Sequence, residues 1–352
     1  MIPRRGQTSP VSNSRMTTVI LPTHTPQLFE AAVERAAALL RAGELVALPT
    51  ETVYGLAANA LDAAAVEKIY SVKGRPAHNP IIVHVADAAM ARQCVGDWPV
   101  AAERLAKAFW PGPLTLVLPR SSLVPDVVTA GGETVGVRWP SHPFMQAVIR
   151  RCGFPLAAPS ANVSNAVSPT NAGHVQRGLG GEIPLIVDGG QAQVGIESTV
   201  VDLSGARVRV LRPGMIHAES LAAALGAEVA EGDAVVSLDE ALRSPGLLPK
   251  HYAPKAKLVL WSWRDEEDLL GQVKLKIASG SSVHVIAHTH IPSGHGLQSV
   301  SVIPHDAEAF ARAIYAELHR CDVEGADWIV VETLPQGHEW RGVADRLSRA
   351  GR

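Results

Sequence analysis

The sequence predicts an α/β protein in two parts, a larger domain on a twisted, open, mixed sheet and a smaller Rossmann-like α/β domain after it. Three observations predict this. Short apolar runs of strand length alternate with amphipathic stretches of helical period, the pattern that buries a sheet against helices. At 352 residues the chain exceeds what one hydrophobic core ordinarily supports. Between residues 227 and 257 the pattern lapses into an irregular stretch that ends in Ser244-Pro245-Gly246-Leu247-Leu248-Pro249-Lys250-His251-Tyr252-Ala253-Pro254, which reads as the linker between two cores.

Residues 1–24 carry no periodic pattern and are expected to form a disordered leader, with Met16 as a candidate start. The larger domain then spans 25–226. From Gln27 to Arg41 the apolar residues Leu28, Ala32, Val33, Ala36, Leu39 and Leu40 recur at helical spacing, and Gly43 stands where a C-terminal cap belongs. Leu45-Val46-Ala47-Leu48-Pro49 reads as a buried strand that stops in the polar turn Thr50-Glu51-Thr52, so hydroxyls emerge at a strand end. A helix over Ala63 to Val72 is halted by Pro76-Ala77-His78-Asn79-Pro80, because proline lacks the N–H that a helix needs and clashes with the preceding turn. Lys73 and Arg75 are thereby held on a short, stiff connection before the strand Ile81 to Val85. Further strands are expected at 114–118, 134–139, 185–188, 198–203 and 208–211, and helices at 101–109, 144–151, 171–179 and 218–225. Not every strand is followed by a helix, so the sheet is mixed. Beyond the linker, strands at 258–261, 283–287, 300–303 and 328–331 alternate with helices near 265–275, 307–319 and 340–350, giving the second domain at 258–352.

Composition narrows the function. Apolar residues make up 47% and charged residues 19%, with a formal net charge of -2, so there is no global basic field to gather nucleic acid and any tRNA or duplex-RNA contact would be a local patch. Cys94, Cys152 and Cys321 are far apart and form no CxxC, which argues against a disulfide framework or a zinc ribbon and for the reducing cytoplasm. No apolar run approaches the roughly 20 residues that a bilayer requires, and no apolar stretch follows the basic leader to make a signal peptide. The chain is expected to have no membrane contact. His284, His288, His290 and His295 lie close in sequence, but without Cys or carboxylates at metal spacing they read as a solvated loop. Trp261 and Trp263 read as core and interface. Asp265-Glu266-Glu267-Asp268 suits the first turn of a helix.

Fixed cations near strand ends, Lys73, Arg75, Arg138 and Arg212, stand beside the small polar residues Ser160, Asn162, Ser168 and Ser198. That combination suits a phosphate-bearing ligand, which needs positive charge, backbone donors and little bulk. Ser160-Ala161-Asn162 follows a small-residue strand exit where backbone can approach the ligand closely. Neither a Walker A sequence nor a GxGxxG after a strand is present, so a different nucleotide-binding fold is required.

Seven segments in order meet that requirement: Pro49-Thr50-Glu51-Thr52-Val53-Tyr54-Gly55-Leu56; Lys73-Gly74-Arg75-Pro76 with Asn79-Pro80-Ile81-Ile82-Val83-His84; Trp110-Pro111-Gly112-Pro113-Leu114-Thr115; Val137-Arg138-Trp139-Pro140; Pro159-Ser160-Ala161-Asn162; Glu197-Ser198-Thr199-Val200; and Leu211-Arg212-Pro213-Gly214. Over about residues 25 to 216 the chain closely resembles the YrdC-like threonylcarbamoyl-AMP synthases, and Pro245-Gly246 with His251-Tyr252-Ala253-Pro254 resembles the linker of their long form, which also carries a C-terminal domain. The resemblance implies a YrdC-like twisted open sheet with a positively charged concave cleft. It implies a nucleotidyltransferase that joins L-threonine, bicarbonate or carbon dioxide, and ATP with Mg2+ into threonylcarbamoyl-AMP, releasing pyrophosphate. The product would serve N6-threonylcarbamoyladenosine formation at position 37 of tRNAs reading codons that begin with A, completed by a partner tRNA threonylcarbamoyltransferase.

Carried over to this sequence, the resemblance implies a threonine end at Thr52, His84, Arg138, the Ala158 backbone and Ser198. It implies an ATP end at Lys73, Arg75, Asn79, Thr134, Ser160, Asn162, Ser168, Arg212 and, from the linker, Tyr252. Lys73 and Arg75 would neutralise the charge that grows on the phosphate, and Arg138 would hold the threonine carboxylate as a bidentate pair. An aromatic set between prolines could fold over the cleft as a lid and shield a mixed anhydride from water. The competing class is a binding module for duplex RNA or tRNA, which has no use for Thr52, His84 and Ser198. Carbamoyl transfer in hydrogenase maturation is a more distant alternative, since its acylphosphatase-like domain and CxxC zinc motifs are not visible here.

Overall fold

A computed structural model describes residues 16–231 and 251–352. In the first part the elements run β1 Val19–Pro22, α1 Pro26–Arg41, β2 Val46–Leu48, β3 Gly55–Asn59, α2 Ala63–Lys73, β4 Val83–His84, α3 Ala88–Cys94, α4 Val100–Phe109, β5 Leu114–Pro119, α5 Asp126–Thr129, β6 Thr134–Arg138, α6 Pro143–Cys152, β7 Leu156–Ala157, α7 Ala172–Leu179, β8 Leu185–Asp188, β9 Thr199–Asp202, β10 Arg209–Arg212, α8 Ala218–Leu225 and β11 Ala230–Glu231. In the second they run β12 Lys257–Trp261, α9 Glu266–Ala278, β13 Val283–Ala287, β14 Ser299–Val302, α10 Ala307–Val323, β15 Trp328–Glu332 and α11 Arg341–Ala350.

Local chemistry sets the helix starts. Thr25 accepts the N–H of Leu28 and Pro26 opens α1, where a missing N–H costs nothing. Asp62 accepts from Ala64 and Ala65 at the head of α2, and Asp306 from Ala309 at the head of α10. Residues 19–22, expected within a disordered leader, instead form β1, which pairs in parallel with β8 from Val19↔Leu185 to Pro22↔Asp188. The strand is four residues long and ends in proline, too short for period alone to reveal, and its order comes from the edge of β8. Most of the expected linker, including Pro245-Gly246, lies outside the described residues, while β11 occupies residues 230–231 of it.

The described strands of the first part make one mixed sheet in the order β1-β8-β2-β3-β7-β4-β6-β5-β9-β10-β11. Parallel pairing of β4 with β6 sets His84 beside Arg138, and parallel pairing of β5 with β9 sets Leu114 beside Thr199. Since residues in register on neighbouring strands face the same side, the sheet itself brings the imidazole and the guanidinium together. Ser160 bridges to Gly55 at the start of β3, laying the small-residue exit of β7 over that glycine.

The second part is an all-parallel sheet in the order β12-β15-β13-β14 with α9, α10 and α11 packed on it. Its histidines depart from the sequence reading: His284 and His288 are buried, and the Glu332 carboxylate accepts the backbone N–H groups of His288, Thr289 and His290. The carboxylate ties down the turn after β13, so the solvated-loop reading fails for His284 and His288 and holds for His290 and His295, which are exposed. Among the described residues no group of three or more His, Cys, Asp or Glu is arranged to hold a metal ion.

The two parts share side chains. Val53, Val167 and Ile196 from the first and Tyr252 from the linker are buried in one cluster with Phe310, Ile314, Tyr315, Leu318, Trp340 and Val343 of the second.

Candidate active site

A cavity of about 50 Å3 opens where these elements meet. One wall carries Thr52, His84, Arg138, Ala158 and Ser198, and the other Arg75, Ser160, Arg212, His251 and Tyr252. Nine of the residues assigned to ligand from sequence are therefore on its lining: Thr52, His84, Arg138, Ala158, Ser198, Arg75, Ser160, Arg212 and Tyr252. All are buried except Ser160, which is partly exposed.

At the first wall, Arg138 Nη1 donates to Thr52 Oγ1 at 2.9 Å and Nε to the Gly112 carbonyl at 3.2 Å. Nη2 lies 2.8 Å from Glu51 Oε1 as an ion pair, yet finds no partner in hydrogen-bond geometry, so this nitrogen keeps hydrogens to offer a ligand. Glu51 in turn accepts the N–H of Ser141. Burial pushes the Glu51 carboxyl up, but Arg138 and that N–H outweigh it and hold it below the usual carboxylate range. His84 Nδ1 is buried without a partner. Burial, reinforced by the Arg138 charge, lowers its pKa to about 3, leaving a neutral ring beside a fixed cation. Ser198 Oγ meets Thr115 Oγ1 at 2.8 Å and accepts from Arg212 Nη2 at 3.1 Å.

At the second wall, Arg75 is braced by its own turn: Nε and Nη2 donate to the backbone and side-chain oxygens of Asn79, and Nη2 also to the Pro80 carbonyl at 2.6 Å. The turn thus does more than stop the helix, because Asn79 and Pro80 present the oxygens that aim this guanidinium, while the Pro76 carbonyl accepts the Asn79 N–H. Arg212 Nε donates to the Ser198 carbonyl at 3.1 Å. The Glu197 carboxylate reaches the cavity as well; it accepts from Ser168 Oγ on one oxygen and from Tyr315 and Arg346 on the other. Tyr252 closes the space. It is buried, holds φ +61 although it is not glycine, and has a hydroxyl with no partner. A bulky residue in the left-handed region persists only where packing holds it, here between His251 and Tyr315, whose rings lie 4.0 and 6.0 Å away.

Five sequence-assigned residues are not on this lining. Lys73 ends α2 with its ammonium fully buried, donating to the carbonyls of Ser160 at 2.6 Å and of Asn162. Burial, and then the nearby Arg75, push its pKa well below the ordinary lysine value. Lys73 is expected with Arg75 on the phosphate; in the structure its ammonium lies against the carbonyls of the Ser160–Asn162 turn. Asn79 braces Arg75. Asn162 turns its amide to the carbonyls of Val163 and Ala166. Ser168 is spent on Glu197. Thr134 lines a neighbouring small cavity with Thr115, Thr129 and Gly136, on the far side of Ile82, which borders both.

Glu51, Glu197 and His251 carry no assignment from sequence, although all three lie inside quoted segments. The signal was available: two carboxylates embedded in hydroxyl-rich, apolar runs have no solvent to face, and four clustered cations need partners.

A mixed α/β sheet whose cavity sets hydroxyls, a neutral imidazole and an arginine against two further arginines defines a small-molecule binding site of enzyme type, suited to a ligand with an anionic end and a polar end. Two family models match the chain, one described as "Telomere recombination" (Sua5, YciO and YrdC) over residues 38–214 and one described as "Threonylcarbamoyl-AMP synthase, C-terminal domain" over residues 216–351. The chain belongs to the threonylcarbamoyl-AMP synthase family. It is 41% identical over 323 residues to the threonylcarbamoyl-AMP synthase of Pyrococcus abyssi, covering 90% of this chain and 92% of that one. It is 40% identical over 335 residues to the Bacillus subtilis protein of the same name, covering 94% of each. The crystal structure of P. abyssi Sua5 complexed with L-threonine superposes with a TM-score of 0.86 at 37% identity, covering 96% of this chain and 98% of that one.

Proposed function

We propose that this protein is an L-threonylcarbamoyladenylate synthase, a nucleotidyltransferase. It condenses L-threonine with bicarbonate or carbon dioxide and transfers the adenylyl group of ATP to the resulting carbamate. The observation that carries the reading is the single cavity lined by Thr52, His84, Arg138 and Ser198 on one side and Arg75 and Arg212 on the other, in a chain whose relatives along nearly its whole length bear that name. The threonine amine attacks the one-carbon substrate to form a carbamate, losing a proton when it adds to carbon dioxide or releasing water when it displaces a hydroxyl of bicarbonate. A carbamate oxygen then attacks the α-phosphorus of ATP and pyrophosphate leaves with the electron pair of the broken P–O bond.

The residues have separable tasks. Arg138 offers Nη2 to the threonine carboxylate, while Glu51 behind it fixes the plane of the guanidinium. The orphan nitrogen of neutral His84 and the hydroxyls of Thr52 and Ser198 take the substrate's polar hydrogens. Arg75 and Arg212 face the phosphates. Lys73 supports the Ser160–Asn162 turn from behind, so its loss loosens the site without removing a phosphate contact. Magnesium arrives with ATP as part of the substrate, in keeping with its habit of binding through phosphates and water, since both oxygens of Glu197 are engaged. Catalysis rests on positioning and fixed charge, and positioning by itself can supply roughly 7–11 kcal/mol of the barrier.

The space of about 50 Å3 holds little more than a water or two, far below the roughly 300–1,000 Å3 of ordinary ligand sites. Lining side chains must therefore shift to admit nucleotide, and we propose that His251 and Tyr252, which come from the linker, are the ones that open the site and then shield the anhydride. Mass-spectrometric detection of threonylcarbamoyl-AMP after incubation with the three substrates tests the reading. Product is expected from the natural chain and none from Arg75→Ala with Arg212→Ala. The product is consumed by a partner tRNA threonylcarbamoyltransferase.

A further inference from the structure

Arg346 belongs to α11 in the second part of the molecule and has no exposed surface. Its guanidinium crosses the boundary and is spent on the first part. Nε donates to Glu197 Oε2 at 2.8 Å, Nη2 to the Glu197 carbonyl at 3.2 Å and Nη1 to the Pro213 carbonyl at 2.8 Å, while Asp345 pairs with Nη1. Tyr315 of α10 adds a hydroxyl to the same Glu197 oxygen at 3.1 Å. The backbone is built around these contacts. A Cβ on Gly195 would stand 2.3 Å from the Ala311 carbonyl oxygen, and one on Gly342 would stand 3.0 Å from Ile196 Cδ1 and 3.1 Å from Gly214. Residues 195–198 and 213–214, which carry Ser198 and follow Arg212, are thus clamped between α10 and α11.

A carboxylate on the wall of a cavity that must accept a triphosphate poses a problem that the first part does not solve alone. Unneutralised, Glu197 would repel the ligand and compete for Arg212, its neighbour across Ser198. Its charge is held firmly on the protein side instead: although burial raises its pKa, Arg346 and then Arg212 pull it down to about 2.

We infer that Arg346 is a positioning residue of the nucleotide site, reaching across from the second domain to neutralise and fix Glu197 so that Arg75 and Arg212 face the phosphates of ATP. This rests on the cavity being an ATP site. It gives the second domain a task at the chemistry, because the site's electrostatic balance is completed by a side chain that the first domain does not contain.

Kinetics of pyrophosphate release by the full chain test it, with Arg346→Met, Glu197→Gln and the double variant compared at varied ATP and varied L-threonine. Arg346→Met should raise the KM for ATP by roughly 5–150-fold, the span of ordinary coupling free energies, with a smaller change in the KM for threonine. Adding Glu197→Gln should restore the ATP value to within about threefold of the Glu197→Gln single variant, because the unpaired carboxylate is gone. If Arg346→Met does not fold, folding of the double variant is the same rescue read as thermal stability. A double variant no better than Arg346→Met, or equal losses toward both substrates, would overturn the inference while leaving the synthase reading intact. A natural chain that releases no threonine-dependent pyrophosphate would remove the reading beneath it.

Discussion

His84 shows how burial sets chemistry one residue at a time. An exposed imidazole would gain and lose its proton near pH 6.5, but this ring is desolvated and sits beside Arg138, so its pKa falls to about 3. It stays neutral at working pH. The KM for threonine should therefore show no ionisation step attributable to this histidine between pH 5.5 and 8; a step near 6.5 that disappears in His84→Asn would contradict the assignment. Arg138→Lys makes the complementary prediction. A lysine keeps the charge but loses the fork that contacts Thr52, Gly112 and Glu51 at once. Losing one charged hydrogen bond is worth about 1.5–3 kcal/mol, so the KM for threonine should rise about 10- to 150-fold, readable by calorimetric titration with L-threonine. At this scale the sequence was informative about which groups bind and silent about what stands behind them. Thr52, His84, Arg138 and Ser198 could be picked out as types suited to an amino acid. That Glu51 backs Arg138, or that Lys73 ends under a turn, depends on side-chain direction, which motif spacing does not encode.

Among the elements, the seam between α7 and α10 carries the clearest consequence. His174 and His319 stack across it with ring centroids 4.0 Å apart, and His319 Nε2 lies 3.1 Å from the Ser168 carbonyl. Burial lowers both pKa values, that of His174 to about 3, with His319 and Arg177 adding to the effect on His174. Because the folded values lie below the unfolded value of about 6.5, the unfolded chain binds more protons in that window, so the stability contributed is whole above pH 6.5 and is lost as the pH falls toward 3. Two protonated rings face to face would also repel. Once the intrinsic slowing of amide exchange at lower pH is divided out, opening in residues 168–175 and 315–320 should accelerate between pH 7 and pH 5 more than in β5 or β6, and His319→Phe should blunt the change. Uniform acceleration would contradict it. The long helices and most strands were legible because each shows its period over enough residues and carries its own cap. β1, β3 and α3 were not, since four to seven residues give a period too few repeats and their order is imposed by neighbours.

For the molecule as a whole, the decisive feature is that the two parts, each with core clusters of its own, share a further cluster across their boundary. Val53, Val167, Ile196 and Tyr252 sit among the side chains of α10 and α11, and the buried Arg346–Glu197 pair crosses the same boundary. Length and the linker predicted two domains, and the two sheets are there, but composition cannot report which side chains interdigitate once the chain folds back. The shared cluster predicts one calorimetric transition in place of two, with van't Hoff and calorimetric enthalpies in agreement. Resolved transitions for the two sheets would show that the boundary is a weak contact.

The claim that this shared architecture encloses an adenylylating site for a threonine carbamate is tested most directly by pyrophosphate release from ATP by the purified full chain, with threonine, bicarbonate or both omitted. Release is expected only when all three substrates are present, with little when serine replaces threonine and none in the Arg75→Ala, Arg212→Ala variant. Release that ignores threonine and bicarbonate, or its absence in a chain that instead binds duplex RNA tightly, would contradict it.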